Sequence, residues 1–224
     1  MPEAEVVQTE QGDPSGFWIV LPNGWVTIDV NPRTAPRTHR RLLRAMAKAE
    51  PGLAAHRPRL EADLNRLSRE CSEQGVQFAA SFIALVDDEI PMNASLNIAT
   101  YRTDLNHVDV LRASLLDTEF RLAVDLFELD DGRAVRVRGR DKLRYPGAED
   151  DIEVASRQFH VPIPGSSGRV ALLTFTTSSL AFEEGFAELF DTMAKTFRFT
   201  YGEPALAEVP AEDDPDDGVE PGSD

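Results

Sequence analysis

Apolar and polar positions alternate along this chain with two periods, and the change of period marks its elements. The clearest stretch is residues 168–201. Residues 170–175 form an apolar run of strand length, closed by Thr176, Thr177, Ser178 and Ser179. Phe182, Phe186, Leu189, Phe190, Met193 and Phe197 then recur at steps of three and four, the stripe of an amphipathic helix. Ser179 is the expected N-cap, with Glu183 and Glu184 in the first turn, where the helix dipole favours carboxylates. A short strand closes the stretch, which is expected to be the central strand, covering helix and final strand of the fold.

The same reading continues upstream. Residues 16–20 and 25–30 are strand-like, separated by the turn chemistry of Leu21-Pro22-Asn23-Gly24. Residues 38–50 predict a basic helix around Leu42, Leu43 and Met46. A second helix runs from about Pro58 to a C-cap at Gly75, with Leu60, Leu64, Leu67 and Cys71 as its buried stripe. Residues 76–86 and 92–101 alternate as strands about an acidic turn, and residues 107–116 suit a short helix. A further strand begins at Leu122, and Asp131-Gly132 predicts a hairpin into the strand 133–143. Residues 154–163 are extended, and Gly165-Ser166-Ser167-Gly168 turns into the closing strand. Runs of hairpins beside segregated helices define an α+β protein, an antiparallel β-sheet covered by helices.

Charge changes the picture at the two ends. Residues 1–14 hold four acids and residues 202–224 hold nine, with no lysine or arginine in either. These thirteen acids account for all but three of the chain's sixteen net negative charges. The expected organisation is a disordered acidic segment at 1–14, a single domain at 15–202 and a disordered acidic tail at 203–224. The tail reads as a solubilising segment, a lure for a basic partner or a mask over the protein's own basic patch. The N-terminus shows neither a charged n-region nor an apolar h-region, and no run approaches transmembrane length. With one cysteine and no internal disulfide, the expected location is cytoplasmic, with no membrane insertion.

The search for chemistry is mostly negative. His39, His56, His107 and His160 have no metal-ligand spacing, and the phosphate-cradling glycine loops and the GxSxG elbow are absent. No catalytic set, metal site or cofactor is expected, and the protein reads as a non-enzyme. The candidate binding residues are Arg136, Arg138, Arg140, Lys142 and Arg144, which recur every second position and so share one strand face, with Arg133 added at the hairpin. Asp125 and Glu128 are the nearest acids that could neutralise them. The row reads first as a solvated sheet face neutralised by such acids; as a binding face it suits an acidic protein or tail, and after that an anionic lipid or nucleic acid. Nucleic acid is disfavoured, because the tail acids would compete and no aromatic alternates with the arginines.

The opening GFWIVLPNGWVTIDV and the closing VALLTFTTSSLAFEEGFAELFDTMAKTFRF together resemble the Mog1/PsbP-like superfamily over residues 16–201. The chain looks especially like actinobacterial members, and more distantly it is similar to DcrB-like chaperones and LpqN-type lipoproteins. It departs from the lipoproteins in lacking a lipobox, and from the superfamily in the length of its helical insertion, residues 38–75. The resemblance implies an α/β/α sandwich and a non-enzymatic protein-binding adaptor or chaperone, linked to a bacterial secretion system. The alternative is a small-molecule or lipid carrier with a pocket between the sheet and the 38–75 helices.

Overall fold

A computed structural model describes residues 14–49, 54, 57–86, 90–105, 107–116, 123–143, 151–166 and 168–202. The expected disorder of both ends, the acidic turn 87–89 and Arg144 lie outside the described residues. The protein is mixed α+β, with four α-helices and nine strands among those residues.

In chain order the elements are β1 (Gly16–Trp18), β2 (Trp25–Ile28), α1 (Ala35–Ala49), α2 (Arg57–Glu73), β3 (Val76–Val86), β4 (Ile90–Arg102), α3 (Val108–Leu116), β5 (Ala123–Leu129), β6 (Gly132–Leu143), β7 (Ile152–Pro162), β8 (Arg169–Thr177), α4 (Glu183–Lys195) and β9 (Arg198–Thr200). Seven strands form one antiparallel sheet in the order β2-β3-β4-β8-β7-β6-β5. The closing strand β8 is thus central, flanked by three strands on each side. Val170, Ala171, Leu173 and Phe175 of this strand are all buried, so both of its faces carry core, as expected for a near-continuous apolar run.

On one face lies α4, whose stripe Phe186, Phe190 and Met193, continued by Phe197, is buried against Leu96, Ile98, Phe159, Leu173 and Phe175. Aromatic rings bridge sheet and helix. Phe127 meets Phe159 at 4.9 Å, Phe159 meets Phe175 at 5.7 Å, and Phe175 stacks on Phe190 at 5.0 Å. Phe182 is only half-buried, because it sits in a single 3-10 turn (Leu180–Phe182) ahead of α4. A second cluster joins Val108 and Leu111 of α3 to Val135 and Val170 on the opposite sheet face.

Three local expectations are corrected. The turn before Trp25 forms, but the strands it joins do not pair. β1 pairs with β9 at the far end of the chain, and β2 pairs with β3. Ser179 makes no capping bond to the helix; its hydroxyl instead accepts the Asn93 N–H at 2.9 Å and so ties the helix approach to β4. In α2 the buried stripe is rotated, with Ser68 and Cys71 buried and Leu67 exposed. The cause is polar: His39 of α1 is buried, and its Nδ1 lies 3.0 Å from Asn65 Oδ1, which draws that face of α2 inward.

Candidate functional site

The alternation of β6 decides which cations can act together. Val135 and Val137 are buried and Val135 packs under α3, so Arg136, Arg138, Arg140 and Lys142 emerge on the α4 face, as expected. Arg133 has the parity of Val135 and falls on the other face, which separates it from the row. Arg144 lies outside the described residues.

The row grades from structural to exposed along the strand. Arg136 is 16% exposed and makes a two-pronged contact with Asp125 of β5, at 3.0 and 2.6 Å. Its third nitrogen reaches Asp191 of α4 at 2.7 Å, and its guanidinium lies over the Phe127 ring. Asp125 also accepts from Arg138 at 3.2 Å, and Arg157 of β7 meets Asp191 at 2.6 Å. These charges form one network that clamps β5, β6, β7 and α4. The hydrogen bond from Arg136 holds the Asp125 carboxyl below the usual range, and the same bond raises Arg136. Arg140 is 52% exposed and reaches Glu183, at the start of α4, at 2.6 Å and Glu153 at 3.4 Å; the Glu183 bond raises its pKa.

Of the acids expected beside the row, Asp125 is engaged. Asp191, Glu183 and Glu153 come from elements far off in sequence.

Beyond Arg136 the row runs toward the start of α4, where Arg140 meets Glu183. A cleft of about 300 Å³ opens there, with Ala155, Thr177, Ala187 and Phe190 as its floor and Arg138, Arg140, Arg157 and Glu183 on its rim. The Arg138 Nε–H is buried with no hydrogen-bond partner. Five clefts among the described residues, this one included, are lined by elements other than α1 and α2. The described residues contain no group of three or more His, Cys, Asp and Glu able to hold a metal ion. No described helix is long and apolar enough to cross a membrane.

No family model matches the chain, and no curated protein matches it.

Proposed function

We propose that the protein is a non-catalytic binding module, an adaptor or chaperone that recognises another protein through the cleft between β6, β7 and the start of α4. The observation carrying this reading is the pairing of a largely apolar floor with a rim of three arginines. Such a notch accepts one anchoring side chain, with a carboxylate beside it on the rim. At about 300 Å³ it is at the small end for a ligand pocket. The Mog1/PsbP-like resemblance supports the same class, since it implies binding rather than catalysis. The partner is therefore a protein that presents an acidic residue next to an apolar one.

The test is capture from native cells with the full-length protein, comparing wild type with an Arg138→Gln/Arg140→Gln variant. A stoichiometric partner should be lost from the variant while its melt stays close to that of wild type. It should be retained by Lys48→Glu on the distant α1. A partner that binds the double variant as well as wild type overturns the proposal. Arg136 is left unchanged, because it is the least exposed of the row and bridges Asp125 and Asp191 within the clamp.

A further inference from the structure

The two margins of the large sheet are unlike. At one, β2 is four residues long; at the other, β5 runs seven residues in unbroken register with β6. Among the described residues nothing pairs with the outer side of β5. Free edges are ordinarily blunted by lysine, proline or a bulge, and β5 has none of these. Of its two acids, Asp125 is held by Arg136 and Arg138.

A second feature lies beside this edge. Val108 and Leu111 of α3 pack with Val135 of β6 and with Val124 and Leu126 of β5, so the helix overlies the edge pair. Its outer side is apolar as well. Val110 and Leu116 are 50% and 52% exposed, and with Leu105 and Ala113 they line a shallow groove. β4 and β5 lie four antiparallel pairings apart and so run the same way. The connection through α3 is therefore a crossover between parallel strands, which is right-handed as a rule. At about 3.6 residues per turn, that hand sets Leu116 on the side of α3 nearer the free margin.

We infer that β5 and α3 form a dimerisation face, closed by a second copy of this chain about a two-fold axis through Leu126. The register selects this occupant. Leu126 is the middle residue of β5, so antiparallel self-pairing sets it against its own copy. Asp125 then faces Phe127, Val124 faces Glu128 and Ala123 faces Leu129. The whole strand pairs and no acid opposes an acid. A pairing centred on residue 125 would oppose the two Asp125 carboxylates.

The helices fit the same join. Strands lie about 4.8 Å apart, and α3 sits over the space between β5 and β6. Its two copies therefore come about 10 Å apart, close to the spacing of packed helices. Ala113 leaves room for that approach, and Leu116 of each copy is withdrawn from water. The arginine-rimmed clefts lie on the opposite sheet face, so both stay open in the dimer.

The experiment is sedimentation velocity of the full-length protein from about micromolar to about millimolar concentration. The mass should rise from the 24.8 kDa of one chain to twice that value. Leu116→Lys, at a half-exposed site, should raise the dissociation constant at least about tenfold. Val26→Lys, on the opposite margin of the sheet, should leave it unchanged. Hydrogen exchange reads the strand itself: the outward amides of β5 should gain at least about tenfold protection as the dimer forms, and those of β2 none. A chain that stays monomeric throughout overturns the inference and leaves the margin to a strand of another protein. A dimer indifferent to Leu116→Lys, weakened by Val26→Lys or lacking new protection in β5 overturns it equally.

Discussion

His160 lies in the sheet under α3, 6% exposed, with its Nδ1 2.9 Å from the Tyr101 hydroxyl. Burial pushes its pKa down to about 4 and that of Tyr101 up to about 12. The depressed imidazole means that the unfolded chain binds a proton between about pH 6.5 and 4 where the folded chain does not, so stability falls as pH drops through that window. The loss should be on the order of 2 kcal/mol between pH 7 and 5. Urea titrations at the two pH values should show it in wild type and much less of it in His160→Leu; equal losses in the two proteins would rule out His160 as the source. Asp125 acts lower down. Its contribution is present above its ordinary value and disappears as pH falls through its depressed folded value, so the two windows separate. At this scale the sequence was partly informative. The two-residue period of arginines on β6 was legible, because side-chain direction in a strand depends only on parity. Of the clamp, the Asp125 leg was legible across the hairpin; Arg157 and Asp191 were not, since they join it only when β7 and α4 are in place. His39 and His160 lack metal-ligand spacing, and nothing local marks a histidine as buried.

Among the elements, α4 was the most readable, because a phenylalanine stripe at helical spacing has one stable use, burial against a sheet. Phe190 is 2% exposed and stacks on both Phe175 and Phe186, at 5.0 and 5.7 Å. Phe190→Ala should cost about 3–5 kcal/mol, as the cavity would sit between two further rings with little room to collapse. Phe190→Leu should cost less, about 1–2 kcal/mol. Urea midpoints measure both, and an alanine variant within a few tenths of a kcal/mol of wild type would place the ring outside the core. The element boundaries were less legible. Ser179 has the residue type and position of a cap, but Asn93 of β4 competes for its hydroxyl and wins. The α2 stripe misread has a similar origin. Leucine spacing alone pointed to Leu67, whereas the helix rolls to satisfy His39 with Asn65 and leaves Leu67 outside.

Strand pairing is a property of the whole molecule, and here the sequence reached least far. Adjacency suggests that the first two strands belong together, yet β1 crosses to β9 and joins the two ends of the described chain. The link is small, a three-residue ribbon held against the core by Phe17 on Phe197 at 5.7 Å and by the Val20 N–H donating to Thr196 Oγ1 at 3.0 Å. β2 is a second short edge, four residues long, with Val26 exposed. β8 is bonded on both sides along its length, by β4 and β7. Edges with few buried contacts open locally, whereas a doubly paired, doubly covered strand opens only when the domain unfolds. Native-state hydrogen exchange should therefore give Ala171–Phe175 protection equal to the global stability and shared denaturant dependence with unfolding. The amides of Val26–Ile28 and of β1 and β9 should exchange faster, through openings nearly insensitive to low denaturant. If Phe17 and Phe199 exchange as slowly as Leu173, the ribbon is an integral part of the cooperative core. The end-to-end pairing would then be required for folding rather than added to a sheet that is stable without it.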